Sequence, residues 1–523
     1  MTLIQLFYFF IAIQILHFLG TYKLYVKAGR QAWEALVPIY NAVVLMQIIN
    51  RPKWWVILLF IPIINLLMFP VIWVETIRSF GHNSNKDTWL VLLTLGLYIF
   101  YINYIESGDY IKNRSLKPRT STGEWVSSIV FAVVAATMVH TYFMQPYTIP
   151  TSSLEKSLLI GDFLFVSKFH YGARAPMTAV SIPMVHDTFP AIPIPFLGVH
   201  ITPKFRSYLK KPQLPYFRFP GLQKIKRNDI VVFNWPADTV EQFFKVPNHR
   251  IRKPIDKKSN YVKRCVGIAG DTLSVVAGYV YINGKKTVLP DRAKPEYDYT
   301  VFTNGQQIST ISIENRYHVR EWGRYQNGNY RMNLDAEDAR LLSKNPMVTK
   351  IEREVLPKDF QEDVFPHDKN FLWNRDYYGP IVIPKKGATV KINLDNLPLY
   401  HKIIGEYEKN DLKIKNKQIY INGKVATSYT FKQNYYWMMG DNRDHSEDSR
   451  YWGFVPFDHV VGKPVFIWFS WNSKGKGINK VRWNRVFTTV GGSGKRVSYL
   501  PYFLGLLVLW FAYDFYRKRK KAA

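Results

Sequence analysis

Three short stretches of this chain concentrate hydroxyls, one lysine and interleaved acids and arginines. The first is Tyr147-Thr148-Ile149-Pro150-Thr151-Ser152-Ser153-Leu154, followed by Leu158-Leu159-Ile160-Gly161-Asp162. The second is Tyr261-Val262-Lys263-Arg264-Cys265-Val266-Gly267. The third runs Gly440-Asp441-Asn442-Arg443-Asp444-His445-Ser446-Glu447-Asp448-Ser449-Arg450. A serine hydroxyl is a weak nucleophile and attacks only when an adjacent base takes its proton. Two kinds of base are at hand: Lys263, and the histidines His170 and His445. A lysine serves only if its amine is neutral, and burial favours that state by disfavouring the charged one. Alternation along Tyr261–Val266 can turn Lys263 toward an apolar interior. Taken singly, each stretch also reads as structure alone: a hydroxyl-rich loop, a solvent-facing lysine, a hydrogen-bonded turn.

The elements that must hold these residues read as β-rich. Ile230-Val231-Val232-Phe233 and Gly278-Tyr279-Val280-Tyr281-Ile282 are short apolar or alternating runs, and Asn-Gly pairs are the strongest short hairpin signal. Tyr281-Ile282-Asn283-Gly284-Lys285 and Tyr420-Ile421-Asn422-Gly423-Lys424 match almost residue for residue. The residues between them, 286–417, are expected to form an inserted β-rich lobe. Nine prolines lie between Gly172 and Pro220, a density that excludes helix and central strand. That loop is expected either to dip into a membrane interface or to pack on the protein itself.

Five runs approach the roughly 20 apolar residues needed to cross a bilayer: Leu3–Leu19, Trp54–Val74, Trp89–Ile105, Trp125–Phe143 and Val497–Tyr513. Trp33–Ile49 carries Glu34, Pro38 and Asn41 and reads as interfacial or re-entrant. No positive segment precedes the first run and no small-residue cleavage site follows it, so it is not read as a removable leader. The basic residues after the first run, after the third, and in Arg517-Lys518-Arg519-Lys520-Lys521 place those loops inside. The N-terminus and residues 145–496 then lie outside. A net charge of +31 fits nucleic acid or an anionic membrane; the apolar runs and the lack of any nucleic-acid-binding motif favour the membrane. Cys265 is the single cysteine, which excludes an intramolecular disulfide and a cysteine-held zinc.

At the three stretches the chain resembles bacterial type I signal peptidases (leader peptidases), a Ser-Lys protease family. The likeness covers roughly 121–472, with interruptions. Gly-Asp-Asn-Arg-Asp-x-Ser-x-Asp-Ser-Arg is its most specific part, and Arg227-Asn228-Asp229-Ile230-Val231-Val232-Phe233 fits a further family strand. The family's Pro-Ser-x-Ser-Met pattern is met with Thr151 for the first serine and Leu154 for methionine. The resemblance implies Ser153 as nucleophile and Lys263 as general base. It implies Ser446 orienting the lysine, Asp448 paired with Arg450, and Arg264 nearby. It also implies an oxyanion site of the Thr151 hydroxyl and the Ser153 N–H. Ile149, Pro150, Leu154, Leu158, Tyr261 and Val262 match positions that bind the substrate, with small residues such as alanine preferred at the first and third positions before the cut.

The architecture expected is a membrane-anchored, mainly-β protein. It comprises an N-terminal helical membrane module (1–120), an anchor (121–145), a catalytic core in two parts (146–285 and 418–496) around the lobe, and a C-terminal membrane helix with a basic tail (497–523). Implied with it are multi-pass placement in a bacterial cytoplasmic membrane, a catalytic domain on the outer side, and no metal or cofactor. The implied partners are signal-peptide-bearing preproteins, membrane lipids and the protein-export machinery, without nucleic acid. Gly29–Asn41 resembles a small bacterial membrane module of unknown role. Two rivals are a catalytically dead scaffold and a self-cleaving Ser-Lys repressor bound to DNA.

Overall fold

A computed structural model describes residues 1–106, 108–118, 120–188, 192–194, 199–201, 205–239 and 251–522. The chain separates into two units. One comprises Met1–Phe143, Ala173–Phe219 and Ile251–Lys258; the other comprises Met144–Gly172, Pro220–Arg250 and Ser259–Ala523.

The first unit is helical. Leu3–Lys27 starts at a capping box in which the Thr2 and Gln5 side chains satisfy each other's backbone N–H, as free amides at a helix start require. Among the described residues, Leu3–Lys27 and Ser121–Phe143 are long and apolar enough to cross a bilayer. Only 6% and 11% of their apolar windows are buried, whereas a soluble core helix would be mostly covered. The other two apolar runs of this unit are broken. Trp54–Val74 divides into Trp55–Leu59 and Ile64–Ser79, because Pro62 lacks an N–H and Ile63 takes φ 70°. Trp89–Ile105 divides into Asn85–Leu93 and Tyr98–Tyr104 at Leu95 and Gly96, both left-handed. Trp33–Ile49 yields a helix at Tyr40–Ile48 of 9 residues, too short to span.

The described part of the proline-rich loop packs on these helices. Phe219 meets Tyr142 edge-on at 6.2 Å. Ala173 shares an apolar cluster with Leu58, Ile64, Met68 and Tyr142. Phe205, Leu209 and Phe217 remain exposed.

The second unit is built on an eight-stranded antiparallel sheet. Its path runs Met144–Thr148, Asp162–Ser167, Val460–Ser470, Ile230–Asn234, Asn260–Gly267, Tyr435–Met439 and Val455–Pro456, with Thr488–Thr489 beside Val460–Ser470. Alternation divides the strand side chains between two cores. Ile230, Val232 and Val262 pack with Ile149, Leu154 and Leu158; Val231, Phe233 and Cys265 pack with Trp452 and Met438. Both Asn-Gly hairpins form as their sequences demand, with Asn283, Gly284, Asn422 and Gly423 all at positive φ across the registers Ile282↔Lys285 and Ile421↔Lys424.

Within 286–417, Tyr297–Thr303, Trp322–Arg324, Tyr330–Leu334 and Val348–Arg353 make a separate four-stranded sheet. It has its own core of Val301, Ile313, Tyr317, Met332 and Leu342. The later residues are knitted into flanking strands: Tyr378–Val382 pairs with Thr272–Val276, and Thr389–Lys391 with Ser428–Thr430. Leu500–Ala522 is a single helix with Tyr502, Leu506 and Trp510 exposed.

Asp162 closes the sheet electrostatically. Fully buried, it accepts from Ser470 Oγ at 2.7 Å, Arg485 Nε at 3.0 Å and the Leu159 N–H at 2.9 Å. Asp162→Ala leaves the Arg485 charge buried and unmatched, so unfolding of the detergent-solubilised protein in denaturant should show a loss of about 3–5 kcal/mol. Replacement of the exposed Asp395 should change little.

Candidate active site

Ser153 is the middle residue of a 3-10 turn, Ser152–Leu154. The turn is pinned from below by Leu154, 1% exposed, and packs against the Asn260–Gly267 strand. Thr151 precedes it in extended conformation, exposed, and its side chain caps nothing. As at any helix start, the first N–H groups of the turn have no partner within it, and among the described residues the Ser153 N–H makes no backbone hydrogen bond.

The third stretch passes directly beside this turn. The Asn442 N–H donates to the Ser153 carbonyl at 3.2 Å. A Cβ on Gly440 would lie 2.5 Å from that carbonyl and closer still to Ser446 Oγ. Gly440 is therefore glycine because two neighbours occupy the space of a side chain, one from each side of the site. Ser446 is 4% exposed, and its hydroxyl has no hydrogen-bond partner among the described residues.

Lys263 sits in the Asn260–Gly267 strand opposite Val231 and is 3% exposed. Its amine lies 5.6 Å from the centre of the Tyr261 ring. Burial pulls its pKa down to about 8; the carboxylates of Asp448 and Glu447 oppose that pull, and Arg450 adds to it. Burial wins. Among the described residues no hydrogen bond joins the Ser153 hydroxyl to the Lys263 amine. Such contacts often tighten only once substrate is bound.

Two buried ion pairs stiffen the surroundings. Arg450 bonds Asp448 through Nε at 2.9 Å and Nη2 at 2.8 Å, and Asp448 in turn accepts the Gly440 N–H at 3.0 Å. Arg264 grips Asp441 at 2.7 Å and 2.6 Å, and both also bond the Ser157 hydroxyl. Each pair holds its aspartate carboxyl below the usual range against the opposing pull of burial. Planar two-point contacts of this kind fix orientation as well as charge.

Ile149, Leu154, Leu158 and Val262 come together in one apolar cluster with Tyr147. Leu158 is wholly buried and Pro150 is exposed, so the former backs the site and the latter faces outward. Tyr261 lies on the other side of its strand, stacked on Trp235 at 5.0 Å and edge-on to Trp452 at 5.3 Å. Met144–Thr148 pairs with Asp162–Ser167, and Tyr435–Met439 is in register with Arg264–Gly267 and with Val455–Pro456.

Residues 122–336 and 381–471, more than half of the chain, match the family model described as "Signal peptidase, peptidase S26". The chain belongs to this family. Among its relatives are signal peptidase I of Buchnera aphidicola subsp. Acyrthosiphon pisum, 25% identical over 73% of this chain and 90% of the relative, and signal peptidase I of Helicobacter pylori strain ATCC 700392 / 26695, 23% identical over 72% and 93%. Signal peptidase I of Haemophilus influenzae is 22% identical over 72% and 78%. Residues 33–113 match a second model, a family of unknown function (DUF5684).

Residue-by-residue reading placed Arg264 near the site but overlooked Gly440 and the Asp441 and Ser157 partners of that arginine, although Gly-Asp opens the third stretch. It also overlooked Glu321, which accepts a hydrogen bond from Ser152 Oγ at 2.6 Å. Gly440→Ala should abolish turnover while leaving the melting temperature within a few degrees, because its methyl group displaces Ser446 and the Ser153 carbonyl. Peptidase assay and calorimetry on the same sample check this.

Proposed function

We propose that this protein removes N-terminal signal peptides from exported preproteins, with Ser153 as nucleophile and Lys263 as general base. The observation that carries this reading is a lysine buried to 3% exposure, with its amine brought down to about 8, on a strand packed against the turn that bears Ser153. A neutral amine accepts the Ser153 proton as Oγ attacks the carbonyl carbon of the scissile bond. The resulting oxyanion is met by the Ser153 N–H and the Thr151 hydroxyl, and losing one such donor costs about 2.7–4 kcal/mol. The intermediate collapses with cleavage of the C–N bond, and the Lys263 ammonium protonates the departing amine of the mature protein. Water, deprotonated by the same amine, then releases the signal peptide as a carboxylate and restores Ser153. Ser446 orients the Lys263 amine; its unsatisfied buried hydroxyl, costing about 1–3 kcal/mol, favours that bond as the site closes.

The substrate binds in extended form alongside Met144–Thr148 and Asn260–Lys263, by the backbone pairing of β-augmentation. Its small residues, alanine-x-alanine, face the shallow surface formed by Ile149, Leu154 and Val262. The Leu3–Lys27, Ser121–Phe143 and Leu500–Ala522 helices anchor the protein in the cytoplasmic membrane, and catalysis takes place on the outer side. There the apolar part of a signal peptide is still in lipid, and the export machinery delivers it.

Ser153→Ala and Lys263→Ala should each reduce cleavage of an alanine-x-alanine preprotein to background, as followed by gel shift. For the parent protein, kcat/KM should rise with pH through about 8 and level off above it, because the base works only when deprotonated. Glu447→Gln removes a carboxylate that favours the charged amine, so the rising limb should move to lower pH. A limb that stays in place would refute Lys263 as the base.

A further inference from the structure

Glu321 belongs to the small sheet of residues 297–353, at the foot of the Trp322–Arg324 strand. Its carbonyl accepts the Asn333 N–H at 2.9 Å, which ties its backbone to a strand of buried Met332 and Leu334. Its carboxylate reaches out of that sheet in two directions. One oxygen accepts from Ser152 Oγ at 2.6 Å, and the other lies 2.9 Å from His445 Nδ1. The far nitrogen of the same imidazole lies 2.9 Å from Asp298. Asp298 is buried in the same sheet, and its own N–H donates to Asp444 at 2.8 Å. Hydrogen bonds to Asp298 and Glu321 bring the His445 pKa up to about 10, so at neutral pH the ring is charged and donates from both nitrogens.

Ser152 and His445 immediately precede Ser153 and Ser446, and adjacent Cα atoms are about 3.8 Å apart. We propose that Glu321 is a positioning residue that spans the nucleophile turn and the Gly440–Arg450 loop, setting the separation of Ser153 from Ser446. The inference rests on Ser153 as the nucleophile. Two residues past the turn the chain meets the same lobe again: Lys156 donates to Asp338, in the helix Ala336–Leu342, at 2.6 Å and to the His318 carbonyl at 2.8 Å. With the main chain after Ser153 held there, the Ser152–Glu321 bond fixes the remaining rotation of the turn. Contacts to ionised groups are roughly twice as strong as neutral ones, so the carboxylate suits a task that depends on distance.

The test uses the full chain in detergent with a peptide bearing an alanine-x-alanine site. Glu321→Ala should lower kcat by about 10- to 100-fold, the range expected for a misplacement near 1 Å, with KM within about twofold. Glu321→Gln, which can still accept from Ser152, should recover most of the rate. Ser152→Ala removes the bond from the other end without touching the small sheet. It should reproduce the kcat loss and add little to Glu321→Ala in the double variant. A kcat within about twofold of the parent in both Glu321→Ala and Ser152→Ala overturns the inference, as does a loss carried by KM. If Ser153→Ala itself keeps activity, the nucleophile assignment falls instead; if Ser153→Ala is dead while the other two are unaffected, only the role of Glu321 falls.

Discussion

A primary amine gives up its proton near neutral pH only where water is kept from it and the charges around it do not restore the cation. Lys263 meets the first condition by its place in a central strand, paired with Ile230–Asn234 along residues 260–264 and with the Tyr261 ring beside it. The second condition is a balance. Asp448 and Glu447 favour the cation, and Arg450, bound to Asp448 by a two-point contact, offsets part of that pull. Burial remains the largest influence, and the arginine adds to it. The loop that carries these groups thus acts electrostatically, quite apart from its geometry.

The loop can do so because its backbone is pressed against the Ser152–Leu154 turn. Gly440 allows the approach, Asn442 bonds the Ser153 carbonyl, and the Arg264–Asp441 pair anchors the start of the loop to the strand of Lys263 itself. Serine and lysine are therefore referred to a common frame. A displacement of either the loop or the turn would be felt in both the position of the hydroxyl and the potential at the amine.

Local chemistry was legible in the residues. The two Asn-Gly hairpins formed because a left-handed pair with that composition needs no tertiary help, whereas Lys263 is buried because both faces of its strand are covered from there to Gly267, not by alternation. The signature stretches declared the family, which the match over 122–336 and 381–471 established. Hydropathy was less complete. Summed apolarity over Trp54–Val74 and Trp89–Ile105 says nothing of the left-handed turns at Ile63 and at Leu95-Gly96 that split each run in two. Partnerships across long separations were silent as well. Glu321 stands 169 residues from Ser152, and no pattern of its neighbours marks it as anything but a surface acid ahead of a strand. The paired fate of Asp441 and Arg264 was likewise invisible until the strand and the loop were side by side.

The Asp162–Ser470 bond closes a span of 308 residues, and this has a bearing on when the molecule becomes active. Asp162–Ser167 is among the earliest β-strands to be made, yet its central partner, Val460–Ser470, is among the last. During synthesis the intervening chain must wait with an unpaired edge, a state in which strands are prone to the wrong neighbours. Closure of so large a loop is also slow. A nascent chain accordingly carries the Ser152–Leu154 turn long before the sheet beside it can close.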